Sequence, residues 1–284
     1  TVVMGNCGVG FAPCRREDRR LLMRLMEGVE DIPGAVLDEG LPWTWSTFGE
    51  YLDALDARHY DADVAAQIGH APLRVFAMGE RGADREPATA EDRAAMRAVV
   101  RDAIRDGAFG FSTSRTIVHR SSDGRPTFSL GAAEAELLAI AEGLRDAGAG
   151  VIQFISDFDD VDGEWALLRR MIGCAGRPAS LTLLQHEHQP NRWRRVLQHI
   201  HEAVADGLAV KAQVAVRPPS HSTNCFSAMR SCATSRLCKP GCTLAPSART
   251  ASRSTFSHSS VTTSTAAAER SPRSGETVPA GRVT

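Results

Sequence analysis

From Thr89 onward the chain repeats one unit: an amphipathic helix, a glycine, then a short apolar strand. Thr89–Asp106 sets Met96, Val99, Val100, Ala103 and Ile104 at helical spacing, with Thr89 and Asp92 placed as a capping box. Gly107 ends that helix, and Ala108–Phe111 reads as a strand. The unit recurs as helix Ala132–Ala147 and strand Val151–Ile155, then helix Glu164–Ala175 and strand Ser180–Leu184. Helix Asn191–Asp206 and strand Leu208–Val216 repeat it again. Glycine suits each junction because it accepts the left-handed conformation that closes a helix. Strands this apolar, alternating strictly with helices, predict a parallel sheet covered by helices. Two architectures satisfy the pattern: an open doubly wound sheet and a (β/α)8 barrel. About six strands are readable, and neither a G-x-G-x-x-G nor a Walker sequence opens a helix, which disfavours nucleotide binding.

The first 70 residues lead into this pattern. Val2 and Val3 read as a strand, which breaks into a turn at Gly5, Gly8 and Gly10 with Cys7 inside it. In parallel α/β proteins, ligands and metals are held just past the carboxyl end of a strand. A thiolate there can bind zinc or act as a nucleophile, and a small buried thiol is the plainer alternative. Arg15–Met26 reads as a helix; Pro33, Gly34, Gly40 and Pro42 then break the pattern. Thr47–Arg58 is a second helix, and Asp63–Gly69 a strand followed by His70.

Composition matters mainly where it changes. Through Val216 the chain is rich in Ala, Leu, Asp, Glu and Arg; from Arg217 it is dominated by Ser, Thr, Arg, Pro and Cys. Residues 217–284 hold 9 Lys+Arg and 2 Asp+Glu, against 24 and 32 in the preceding stretch. The expected organisation is therefore an α/β domain over residues 1–216 and a low-complexity tail over 217–284. The tail fits a frameshifted reading, a naturally disordered segment, or a metal-binding segment using Cys225, Cys232, Cys238 and Cys242. With a net charge of −1, no nucleic-acid or acidic-membrane partner is expected, and no apolar run reaches membrane-span length. The opening residues show no signal-peptide pattern and the seven cysteines no disulfide framework, so the expected location is the cytoplasm.

Several residues could carry chemistry. His186 and His188 flank Glu187 after a strand and could form a metal pair, since alternate residues of an extended segment point the same way; a solvated loop is the other reading. His70 could bond a substrate group or support the strand end. Arg115 and Arg120, beside a strand end and a long loop, could clamp a substrate carboxylate or lie at the surface. His199 and His201 are expected to be exposed on a helix, and Ser112 has no nucleophile elbow around it.

Val3-Met4-Gly5-Asn6-Cys7-Gly8-Val9-Gly10-Phe11-Ala12-Pro13 resembles the metal-site turn of the D-aminoacylase (N-acyl-D-amino-acid deacylase) branch of the amidohydrolase superfamily. Residues 25–34, Gly69-His70-Ala71-Pro72-Leu73-Arg74, residues 79–84 and Gly110-Phe111-Ser112-Thr113-Ser114-Arg115 are similar to further segments of that branch, in the same order. The resemblance covers about residues 1–218. It implies a partial (β/α)8 TIM barrel of the metal-dependent amidohydrolase type, with Zn2+ as cofactor and Cys7 as a zinc ligand. The implied substrate is a small-molecule amide, an N-acyl D-amino acid or a relative of one. The branch's His-x-His pair precedes the Cys turn, before Thr1, and its catalytic Asp comes late in the barrel, past Arg217, where no counterpart is found. Gln185 stands closest to the place of a middle-strand metal-ligand His. An incomplete barrel with impaired hydrolysis is therefore expected. Two alternatives are a non-catalytic truncated product with residual small-molecule binding, and an amide hydrolase using Cys7 as nucleophile with a distant His such as His70.

Overall fold

A computed structural model of the chain describes residues 1–185 and 188–214. Its elements, in order, are β1 (Val2–Met4), a single 3-10 turn (Arg16–Asp18), α1 (Arg19–Glu30), α2 (Gly34–Gly40), α3 (Phe48–Asp56), β2 (Val64–Gly69), α4 (His70–Met78), α5 (Glu80–Ala83), α6 (Ala90–Asp106), β3 (Gly110–Arg115), α7 (Glu134–Ala147), β4 (Val151–Ser156), α8 (Val161–Ala175), β5 (Ala179–Thr182), α9 (Arg192–Ala205) and β6 (Val210–Gln213). The tail at 217–284 and the end of the last expected strand, residues 215 and 216, lie outside the described residues.

The strand order decides between the two architectures. The six strands pair in parallel as β1-β2-β3-β4-β5-β6, each beside its neighbour in sequence. A doubly wound sheet reverses its order at a switch point, so that its helices cover both faces. Here the order never reverses. Right-handed crossovers then put every helix on one side, and the sheet curls as half of a barrel.

Register separates the two faces of this half-barrel. Ile68, Phe111, Ile152, Ala179 and Val210 are successive cross-strand partners, and so are Thr113, Phe154, Leu181 and Ala212. Partners share a face, and these rows form the convex face under the helices. Ile68, Phe111, Ile152, Phe154 and Leu181 are fully buried there. Burying side chains of this size contributes about 1.5–3 kcal/mol each. The other row, Gly69, Ser112, Gln153, Ser180 and Lys211, forms the concave face and is polar.

Local signals explain most helix ends. Thr89 and Asp92 form the expected capping box, and Thr47 with Glu50 forms another. Three helices, α2, α4 and the short α5, were not read from the sequence. Pro33 is the N-cap of α2, where the pattern was expected to stop, and Pro72 sits in the first turn of α4. A proline at either place removes an N–H that has no helical acceptor, so it starts a helix rather than breaking one. In addition, α1 runs on from Met26 to Glu30, and β3 spans Gly110–Arg115 instead of Ala108–Phe111.

Candidate active site at the carboxyl end of the sheet

The turn after β1 lies across the ends of β2 and β3. Gly8 has φ +71, and a side chain there would meet Ser114 N, Thr113 Cα and Ser112 O at 3.0–3.1 Å. Its carbonyl accepts the Ala71 N–H at 2.9 Å, which ties the turn to the start of α4. Only glycine combines that backbone angle with so close an approach. Cys7, half-buried, is held beside this contact, and its Sγ lies 3.8 Å from Glu30 Oε1. Glu30 is the last residue of α1, where Asp31 turns into the left-handed region at φ 56. Burial raises the Glu30 carboxyl above its usual range, and the Cys7 hydrogen bond acts in the opposite sense. Cys14, seven residues on, is a different thiol: burial beside Asp18 pushes it up to about 12, which keeps it protonated and inert.

Past β3 the chain enters a long loop, residues 116–133. His119 folds back so that its Nδ1 lies 2.7 Å from Ser114 Oγ. Burial holds this imidazole below the ordinary histidine range, with the charge of Asp157 pulling the other way. Asp157, just past β4, accepts from the Thr116 hydroxyl and from Ile117 N at 2.8 Å. Arg115 makes a two-pronged pair with Glu164 at 2.8 and 2.7 Å, and Glu164 also accepts from Ser156 Oγ at 2.9 Å.

Behind the sheet sits a second polar group. His70 is fully buried, with Nδ1 2.8 Å from Thr113 Oγ1 and Nε2 2.7 Å from Glu136 Oε1. Arg74, also buried, donates to both Glu136 oxygens and to the Glu86 carbonyl at 2.6 Å. An ionised carboxylate only accepts, so Nε2 carries the proton and Nδ1 takes the threonine hydroxyl. Burial holds His70 below the ordinary histidine range, against the pull of Glu136. For Glu136, burial opposes the charge, yet the His70 hydrogen bond and the charge of Arg74 keep its carboxyl below the usual range. Arg74 supplies the counter-charge, so His70 stays neutral.

A model of the amidohydrolase family matches residues 1–237. The chain belongs to the amidohydrolase family. Within it, the chain falls in the D-aminoacylase branch. It is 36% identical over 113 residues to a D-aminoacylase of Alcaligenes xylosoxydans xylosoxydans, a match covering 40% of this chain and 20% of that protein. To an N-acyl-D-glutamate deacylase of the same organism it is 29% identical over 226 residues, 78% of this chain and 41% of the relative. A solved D-aminoacylase structure, described with a binuclear metal centre, shares the fold with a TM-score of 0.55 at 24% identity, over 75% of this chain and 40% of that one. The chain thus spans between a fifth and two-fifths of the relatives it matches.

On this amidohydrolase scaffold the sequence candidates fall in separate places. Cys7 stands at the carboxyl end of the sheet with Glu30. His70 lies in the layer between sheet and helices, and both of its ring nitrogens are engaged there. Arg115 is bound to Glu164, and Arg120 is exposed, donating to the Gly124 carbonyl at 2.9 Å. His188 is exposed in a turn, and His186 lies outside the described residues. Among the described residues no group of three or more His, Cys, Asp or Glu is gathered as a metal site. Nor is any helix among them long and apolar enough to cross a membrane. Sequence reasoning passed over Glu30, His119 and Asp157. Glu30 lies in a segment already matched to the branch, but its place at the end of α1 and the return of the His119 loop onto Ser114 emerge only in the fold.

Proposed function

We propose that this end of the sheet is part of the active site of a zinc-dependent hydrolase that cleaves the amide bond of N-acyl-D-amino acids or related small amides. The observation that carries the reading is the Cys7 turn, laid across β2 and β3 with its thiol 3.8 Å from the Glu30 carboxylate. The named activities of the D-aminoacylase and the N-acyl-D-glutamate deacylase support the substrate class. The binuclear centre of the solved D-aminoacylase supports a metal.

The donors suit such an ion. Thiolate and carboxylate are both zinc ligands. Cys7 and Glu30 would hold the metal, which lowers the pKa of a bound water and polarises a carbonyl. No group of three or more His, Cys, Asp or Glu is gathered among the described residues, whereas catalytic zinc sites use three protein ligands. Slow turnover and weak zinc retention are therefore part of the reading. A cysteine-nucleophile mechanism using His70 as base has no support, because both His70 nitrogens are bound within the protein.

The test is hydrolysis of N-acetyl-D- and N-acetyl-L-amino acids by the 284-residue chain, with added zinc and with chelator. Slow release of the D-amino acid that chelator suppresses is expected. Zinc-independent hydrolysis, equal rates for both enantiomers, or no hydrolysis would overturn the reading.

A further inference from the structure

We propose that the cleft along α1 binds a linear aliphatic polyamine, with the Asp18 carboxylate taking one of its ammonium groups. Asp18 is the N-cap of α1, where an aspartate ordinarily accepts a hydrogen bond from the first turn of its helix. Its side chain makes no such bond. The residue is 6% exposed, and its Oδ2 is buried without a hydrogen-bond partner. Burying a carboxylate unpaired is costly, so this one points to a partner from outside the chain.

The surroundings say what charge that partner carries. Asp18 lines a cleft of about 700 Å3 formed by α1, its leading turn, Gly34 of α2 and Glu80 of α5, within the size range of small-molecule sites. Glu17, Glu27 and Glu80 line it with Asp18, against Arg20 and Arg24, which are both exposed. Carboxylates therefore outnumber guanidinium groups, and the enclosed member is a carboxylate. Burial raises the Asp18 carboxyl above its usual range, and the charges of Glu17 and Glu80 add to this. Arg15 acts in the opposite sense, from a place over the Phe76 ring. A cation in the cleft would relieve the crowding of negative charge.

Spacing selects the kind of cation. Among the described residues no three His, Cys, Asp or Glu side chains gather to hold one metal ion. The negative charge is instead strung along the helix, and from Asp18 to Glu27 the axis of α1 rises about 13 Å. Glu27 Oε1 accepts from Gly34 N at 3.3 Å, which fixes that carboxylate at the far end of the cleft. One ammonium group cannot serve both ends. A chain of ammonium groups joined by methylenes can, and Leu21 and Met23 line the cleft between the two carboxylates as apolar surface for the methylenes.

The test is calorimetric titration of the 284-residue chain with spermidine in about 0.15 M NaCl, where attraction to exposed charge alone is screened. Saturable binding to one site is expected, with butylamine at least about 10-fold weaker because it carries a single ammonium group. Asp18→Asn keeps the side chain's shape and removes the buried charge. It is expected to weaken spermidine about 10-fold or more, while the unfolding temperature of the ligand-free chain holds or rises. Gly34→Leu is a second variant that leaves Asp18 in place. A Cβ there meets only the Glu27 carboxylate, at 3.8–4.0 Å, so the backbone accepts it, and the side chain is expected to block the cleft. Absence of saturable binding, equal affinity for butylamine and spermidine, or parent-like affinity in both variants overturns the proposal.

Discussion

The two faces of the sheet treat their polar residues in opposite ways. Behind it, His70, Glu136 and Arg74 form a closed set in which every charge has its counter-charge inside the protein. In front, Cys7 is half-buried beside Glu30, and His119 folds back onto Ser114. The back resembles a keystone between sheet and helices, and the front resembles a place for a ligand. His70 opens α4 and meets Thr113 on the helix side of β3, whereas the loop after β3 returns to bring His119 to Ser114 on the other side.

Breaking the back should cost the most. Glu136→Ala leaves the Arg74 guanidinium buried without its partner, and a loss of about 3–5 kcal/mol is expected in denaturant unfolding. A loss below about 1 kcal/mol would mean that the back network is not structural.

Acid should weaken the same region by a smaller, graded amount. The folded-state pKa of His70 lies below its ordinary 6.5, so the unfolded chain takes up that proton first as the pH falls. Stability present above about pH 6.5 should decline below it. Glu136, held below 4.5, extends the loss as the pH falls through its folded value. Urea midpoints at about pH 7.5 and about pH 5.5 measure the first limb, which His70→Gln should flatten. A midpoint that rises on acidification would contradict the neutral, buried assignment.

The front should be the least costly to alter. Cys7→Ser is expected to shift unfolding stability by no more than about 0.5 kcal/mol, since the residue is half-buried at the mouth. A loss comparable to that of Glu136→Ala would make Cys7 a core residue and erase the contrast between the faces.

Periodicity and caps made the scaffold legible. The Thr89–Asp92 box and the glycines at 107, 148 and 176 mark helix ends that the structure keeps. Pro33 misled, because a proline that opens a helix and one that breaks it look alike until the first turn is located. Strand order, and with it the choice of a half-barrel, was not written in any one segment. Of the mouth, Cys7 stood out through its glycine turn and its neighbours. Glu30 did not, because its meeting with Cys7 depends on where α1 ends. His70 could be located, but its burial behind the sheet follows from the parity of β3, which brings Thr113 to it and turns Ser114 toward His119.

The central claim is that the Cys7 turn is the metal-binding corner of this amidohydrolase. The most direct measurement is the electronic absorption of the 284-residue chain titrated with Co2+, a spectroscopic stand-in for zinc, beside Cys7→Ser. A thiolate-to-cobalt charge-transfer band that appears in the parent chain and vanishes in Cys7→Ser is the expected result. No such band, or one that persists without Cys7, would contradict the claim.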